Sequence, residues 1–133
     1  MKKMVMVLLA MGAATAQAAC PAQQFPAFFA KYADSVPVQK AYTDYPLAHI
    51  MLDHAAQPGP REMKLKLAKA KLTFPLIPAA AERKRAGLAF KMGDADQRKA
   101  SAILFKEDTG YQVVYVFRKD ACWKLERIED RSM

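Results

Sequence analysis

The chain has 133 residues, 21 basic and 13 acidic side chains for a formal net charge of +8, and 2 cysteines. That length is the usual size of one domain and enough to bury a real core. No segment reaches the roughly 20 apolar residues that a bilayer-crossing helix needs, which argues against a transmembrane helix.

The first element is an export signal. Lys2 and Lys3 give a positive start, Met4 to Ala14 is apolar apart from Gly12, and Ala16-Gln17-Ala18 supplies the small-x-small pattern of a cleavage site. An N-terminal core helix would need a polar face, which this run does not have. Residues 1–18 are therefore expected to be a cleaved signal peptide and residues 19–133 a single mature domain, periplasmic or secreted. Cys20 follows so closely that lipid anchoring through it is the alternative. Gln17 stands where that processing wants a large apolar residue, which favours ordinary cleavage.

Loss of Lys2 and Lys3 lowers the net charge from +8 to +6. A basic domain outside the inner membrane meets lipid phosphates and lipopolysaccharide rather than nucleic acid. Cys20 and Cys122 are both retained, and an even pair in an oxidising compartment predicts a disulfide. No neighbouring residues mark Cys122 as a nucleophile.

In the mature chain, Phe25, Phe28, Phe29 and Tyr32 recur at helical spacing and predict an aromatic-faced helix ending near Asp34. Ser35 caps a second short helix carrying Val38 and Tyr42, with Pro37 in its first turn. Tyr45-Pro46 leads into an extended run, Leu47 to Asp53, and after the Gln57-Pro58-Gly59-Pro60 turn Met63, Leu65 and Leu67 alternate with Glu62, Lys64 and Lys66. The two runs predict a hairpin. Ala79 to Arg85 suits a helical turn, and Leu88 to Met92 resumes an extended pattern. Ala102 to Phe105, Gln112 to Phe117 and Trp123 to Ile128 are apolar runs separated by turn residues, an antiparallel meander. The expected class is α+β, with N-terminal helices on a curved antiparallel sheet of about five strands.

The aromatic helix, Tyr45-Pro46-Leu47 and the terminal Trp123-x-Leu125-x-x-Ile128 strand resemble uncharacterised exported bacterial proteins of the nuclear transport factor 2-like (NTF2-like), or cystatin-like, superfamily. The resemblance spans roughly residues 22 to 131. It implies helices packed on a bent sheet around a conical pocket, used by some members for catalysis and by many for binding.

Three groups of residues are candidate sites. Phe25, Phe29 and Trp123, with His49 and Asp53, are expected to line such a pocket, although aromatic stripes more often fill a core. His49 and Asp53 share one strand face and would be the acid-base pair of a cavity enzyme, with His54 on the other face. Lys64, Lys66, Lys69, Lys71, Arg83, Lys84 and Arg85 form the densest basic region, either a solvated face or a patch for anionic lipid or lipopolysaccharide. No Gly-rich phosphate loop, nucleophile elbow, paired carboxylates or zinc spacing occurs, so no cofactor or metal is expected and an enzyme is the minority expectation. The leading expectation is a binding domain for an envelope protein or a small apolar ligand.

Overall fold

A computed structural model describes residues 19–133; the segment read as a signal peptide lies outside the described residues. The elements run α1 (Phe25–Ala33), α2 (Val36–Ala41), β1 (Thr43–Asp53), β2 (Arg61–Leu67), a 3-10 turn (Lys69–Lys71), α3 (Ala80–Ala86), β3 (Ala89–Ala95), β4 (Lys99–Phe105), β5 (Gln112–Lys119) and β6 (Trp123–Asp130). They form one six-stranded sheet in the order β2-β1-β6-β5-β4-β3. The α+β class stands, and two details of it change. The sheet has six strands rather than about five, and it is mixed, because β1 lies parallel to β6. Turn residues mark hairpins between neighbours in sequence, whereas the β1–β6 pairing joins the two ends of the domain and leaves no local signal.

The predicted hairpin is present, with Leu47 opposite Leu67, His49 opposite Leu65 and Met51 opposite Met63. So is the meander β4–β5–β6. Pro46, which has no N–H to donate, lies within β1 before the β1–β2 ladder begins and inside a break in the β1–β6 register between Thr43 and Ala48. A bulge in β6 pairs Phe117 with Leu125 and Val116 with Arg127, so Glu126 is the extra residue. That one residue explains the x-x spacing of the terminal motif: it returns Leu125 and Ile128, three apart, to the same face.

The helices lie on the sheet's inner face. Proline in its first turn and helical spacing make α1, and its Phe25, Phe28, Phe29 and Tyr32 are all buried. Phe117 on β5 is the hub, with ring centroids 5.1–5.8 Å from those four rings. Such tilted and edge-on pairs each contribute about 0.5–1.5 kcal/mol beyond area burial. Ser35 caps α2, its Oγ accepting from the Val38 N–H at 3.3 Å. Gly87 closes α3 with φ of 69°, a conformation side-chain-bearing residues resist, and lets Leu88 N–H reach the Arg83 carbonyl at 2.8 Å.

The N-terminal segment is fastened beside the last strand. Cys20 and Cys122 form a disulfide with Cα atoms 5.4 Å apart and a sequence separation of 102. The Gln23 carbonyl accepts from Trp123 Nε1 and from Lys119 Nζ, each at 3.0 Å. Disulfides form and persist in oxidising compartments, so the bond fits an exported protein. Among the described residues no helix is long and apolar enough to cross a membrane.

Candidate ligand-binding site

On β1 the residues Leu47, His49, Met51 and Asp53 share the inner face. Leu47 is fully buried in the core, which identifies that face as the one beneath the helices. His49 pairs with Ile128 on β6, and Ile128 pairs with Tyr115 on β5. One row of the inner face therefore reads His49, Ile128, Tyr115, and the next brings Asp130 beside Val113.

The aromatic core fills the inner face below α1, and the 71–76 segment roofs what remains. That roof hangs from Leu76: its N–H donates to Gln39 Oε1 at 2.7 Å and its carbonyl accepts from the Tyr115 hydroxyl at 3.2 Å. Ile77, fully buried, plugs the core beside it. Gln39 is itself 1% exposed, and its Nε2 donates to the Tyr32 carbonyl at 3.0 Å. Thr43 Oγ1 donates to the Gln39 carbonyl at 2.6 Å, so the Tyr32 hydroxyl, 2.7 Å away, is left to donate to Thr43. Burial raises the pKa of both the Tyr32 and Tyr115 phenols far above the ordinary tyrosine value, so both are neutral donors.

Between roof and sheet lies a cleft of about 330 Å³ bounded by His49, Leu67, Lys71, Leu72, Thr73, Pro75, Leu76, Val113, Tyr115, Ile128 and Asp130. Its walls are mainly apolar. Its polar side chains are His49, Lys71, Thr73 and Asp130, and the Tyr115 hydroxyl is already engaged by the roof. This composition and size suit a small ligand with one hydrogen-bonding group.

The structure separates several residues that the sequence groups together. Phe25, Phe29 and Trp123 are core, 6%, 4% and 3% exposed, although Phe25 and Trp123 also edge an open, polar recess of about 850 Å³ with Gln23, Arg98, Lys119 and Asp120. Asp53 shares the inner face with His49 but stands four residues on, roughly 13 Å along an extended strand. Its Oδ1 instead accepts from the Ala55 N–H at 3.0 Å in the following turn. The acidic neighbour of His49 in the cleft is Asp130, which sequence reasoning missed. Its signal was present two residues beyond Ile128, on the same face. His54 Nε2 lies 3.2 Å from the Ser132 carbonyl.

The basic residues divide by element. Lys64 and Lys66 project from β2 on the face opposite His49, Lys69 Nζ lies 5.5 Å from the Tyr45 ring centre, and Lys71 is on the cleft rim. On α3, Arg83 is tied to Asp34 at 3.1 Å and the Pro78 carbonyl at 2.7 Å and lies 4.9 Å from the Phe90 ring. Arg85 pairs with Glu82 at 2.7 Å, and Lys84 is exposed. Among the described residues no group of three or more His, Cys, Asp or Glu side chains is placed to hold a metal ion.

Comparison with known proteins identifies the architecture. No protein-family model matches the sequence, and no curated protein matches it. Among solved structures, the chain is similar to an NTF2-like protein from Bacteroides fragilis NCTC 9343, with a TM-score of 0.56 and 22% identity over 82% of this chain. The match covers 47% of that protein, so this chain spans about half its length. The likeness shows an NTF2-like fold, as the aromatic helix and terminal strand led one to expect.

Proposed function

We propose that this is an exported binding domain that holds a small, mainly apolar ligand in the cleft between the 71–76 roof and the inner face of the sheet. The observation that carries the proposal is the roof itself. Its Leu76 is bonded on both sides, to Gln39 and to Tyr115, so the cleft is a built feature and not a gap left by loose packing. Apolar walls supply affinity, while His49 and Asp130 orient a single polar group on the ligand. Export is supported by the Cys20–Cys122 bond and by the N-terminal pattern of residues 1–18. Catalysis by the expected His49–Asp53 pair finds less support, because the strand holds the two residues apart.

The test is a calorimetric titration with decanol, an uncharged chain with one hydroxyl. One saturable site is expected, and His49→Trp, which fills the cleft, should weaken it by roughly tenfold or more, the loss of about 1.4 kcal/mol of contacts. Equal affinity in wild type and variant, or unsaturable uptake, would overturn the assignment.

A further inference from the structure

β2 is an edge strand. All seven residues from Arg61 to Leu67 pair on one side with β1, and among the described residues nothing bonds the other side. Six of the seven are exposed. Its two faces differ in chemistry. Met63 and Leu65, each 38% exposed, stand on the inner face, while Glu62, Lys64 and Lys66 stand on the outer one. Among the described residues no carboxylate lies within ion-pair distance of either lysine.

We propose that this edge receives an extended segment of a partner protein, added antiparallel as a further strand. The charge pattern specifies the segment. Opposite Leu67, Lys66, Leu65, Lys64, Met63 and Glu62 in turn, the complementary order is apolar, acidic, apolar, acidic, apolar, basic. Apolar residues extend the Met63–Leu65 strip, and the acids meet Lys66 and Lys64. A second copy of the chain is the poorer occupant, because each copy of residues 19–133 carries the same net charge of +6, after Lys2 and Lys3 are removed from the +8 of the whole chain.

The test uses protein expressed from its full chain and a dye-labelled synthetic peptide of valine and glutamate in that order, ending in lysine, followed by fluorescence anisotropy. Saturable binding is expected, weaker at high salt and weakened roughly tenfold by the pair Lys64→Glu and Lys66→Glu, since two exposed cross-strand pairs turn from attraction to repulsion. A strand added at an edge turns alternate amides toward it. N-methylation in one alternate frame should therefore abolish binding, and in the other frame leave it intact. Equal effects of the two frames would overturn strand addition. So would binding of phosphatidylglycerol vesicles without binding of the peptide, which would assign the lysines to a lipid surface. Dimerisation in sedimentation that is lost in the lysine variants would assign the edge to a second copy.

Discussion

Gln39 shows how much one side chain can organise. It sits in a short helix, in a sequence with nothing to mark it, yet it joins the end of α1 to the cleft roof through Tyr32, Ala33 and Leu76. Replacing Gln39 with leucine keeps the volume and leaves the partly buried Leu76 N–H without its acceptor, while the Tyr32 carbonyl keeps the Asp34 N–H. An unpartnered buried polar group costs about 1–3 kcal/mol, so Gln39→Leu should lower the unfolding free energy in urea by that order. An unchanged midpoint would mean that the roof is held by other contacts. Glu129 offers a pH test. Burial alone would raise its carboxyl pKa, but hydrogen bonds from Arg127 at 2.7 Å and Arg131 at 2.5 Å prevail and hold it below the usual glutamate value. A depressed folded-state pKa means stability that is present above the unfolded pKa and lost as the pH falls through the folded one. Urea unfolding between about pH 6 and pH 3 should therefore show a decline that is shallower in Glu129→Gln. Parallel curves would remove Glu129 from the acid response. Gln39 is illegible in sequence because its role depends on a partner 37 residues away, whereas Asp130 was legible from its spacing, two residues beyond Ile128 on one strand face.

At the scale of elements, the sequence was most legible where pattern and burial agree. The aromatic stripe of α1, the Ser35 cap and the β1–β2 and β4–β5–β6 pairings all follow from spacing within a few residues. The bulge at Glu126 broke the period of two in β6, and the β1–β6 contact crosses most of the chain, so the mixed character of the sheet had no local signal. The disulfide was legible from cysteine parity, and it closes the loop that the β1–β6 contact also bridges. Closing about 100 residues stabilises a fold by roughly 4–5 kcal/mol in the chain-entropy model. The double variant Cys20→Ser, Cys122→Ser should therefore unfold at markedly lower guanidinium concentration, and reductant should shift the wild type alone. A non-reducing mass measurement on envelope material should show loss of residues 1–18 or 1–19 and two fewer hydrogens. An acylated Cys20 would contradict the free-thiol pairing and the expected cleavage together.

The whole molecule is an NTF2-like sheet whose inner face is used twice: one end is packed solid by Phe25, Phe28, Phe29, Tyr32, Phe117 and Trp123, and the other is roofed but left hollow. Of the residues considered for a pocket, Phe25, Phe29 and Trp123 are packed into the core, the commoner fate of an aromatic stripe, and Phe25 and Trp123 also edge the open recess. His49 borders the roofed cleft, while Asp53, on the same inner face of β1, lies farther along the strand and outside it. The roof from Lys71 to Leu76 was illegible because Pro75 within it and Pro78 just beyond it erase any periodicity there, and its position is fixed by Gln39 and Tyr115. The most direct test of this division is a map of backbone amide shifts in nitrogen-15-labelled protein saturated with decanol. The account predicts changes concentrated at His49, Leu72 to Leu76 apart from Pro75, Val113, Tyr115 and Ile128, with α1 unmoved. Changes centred instead on α1 and Trp123, or none at saturation, would contradict it.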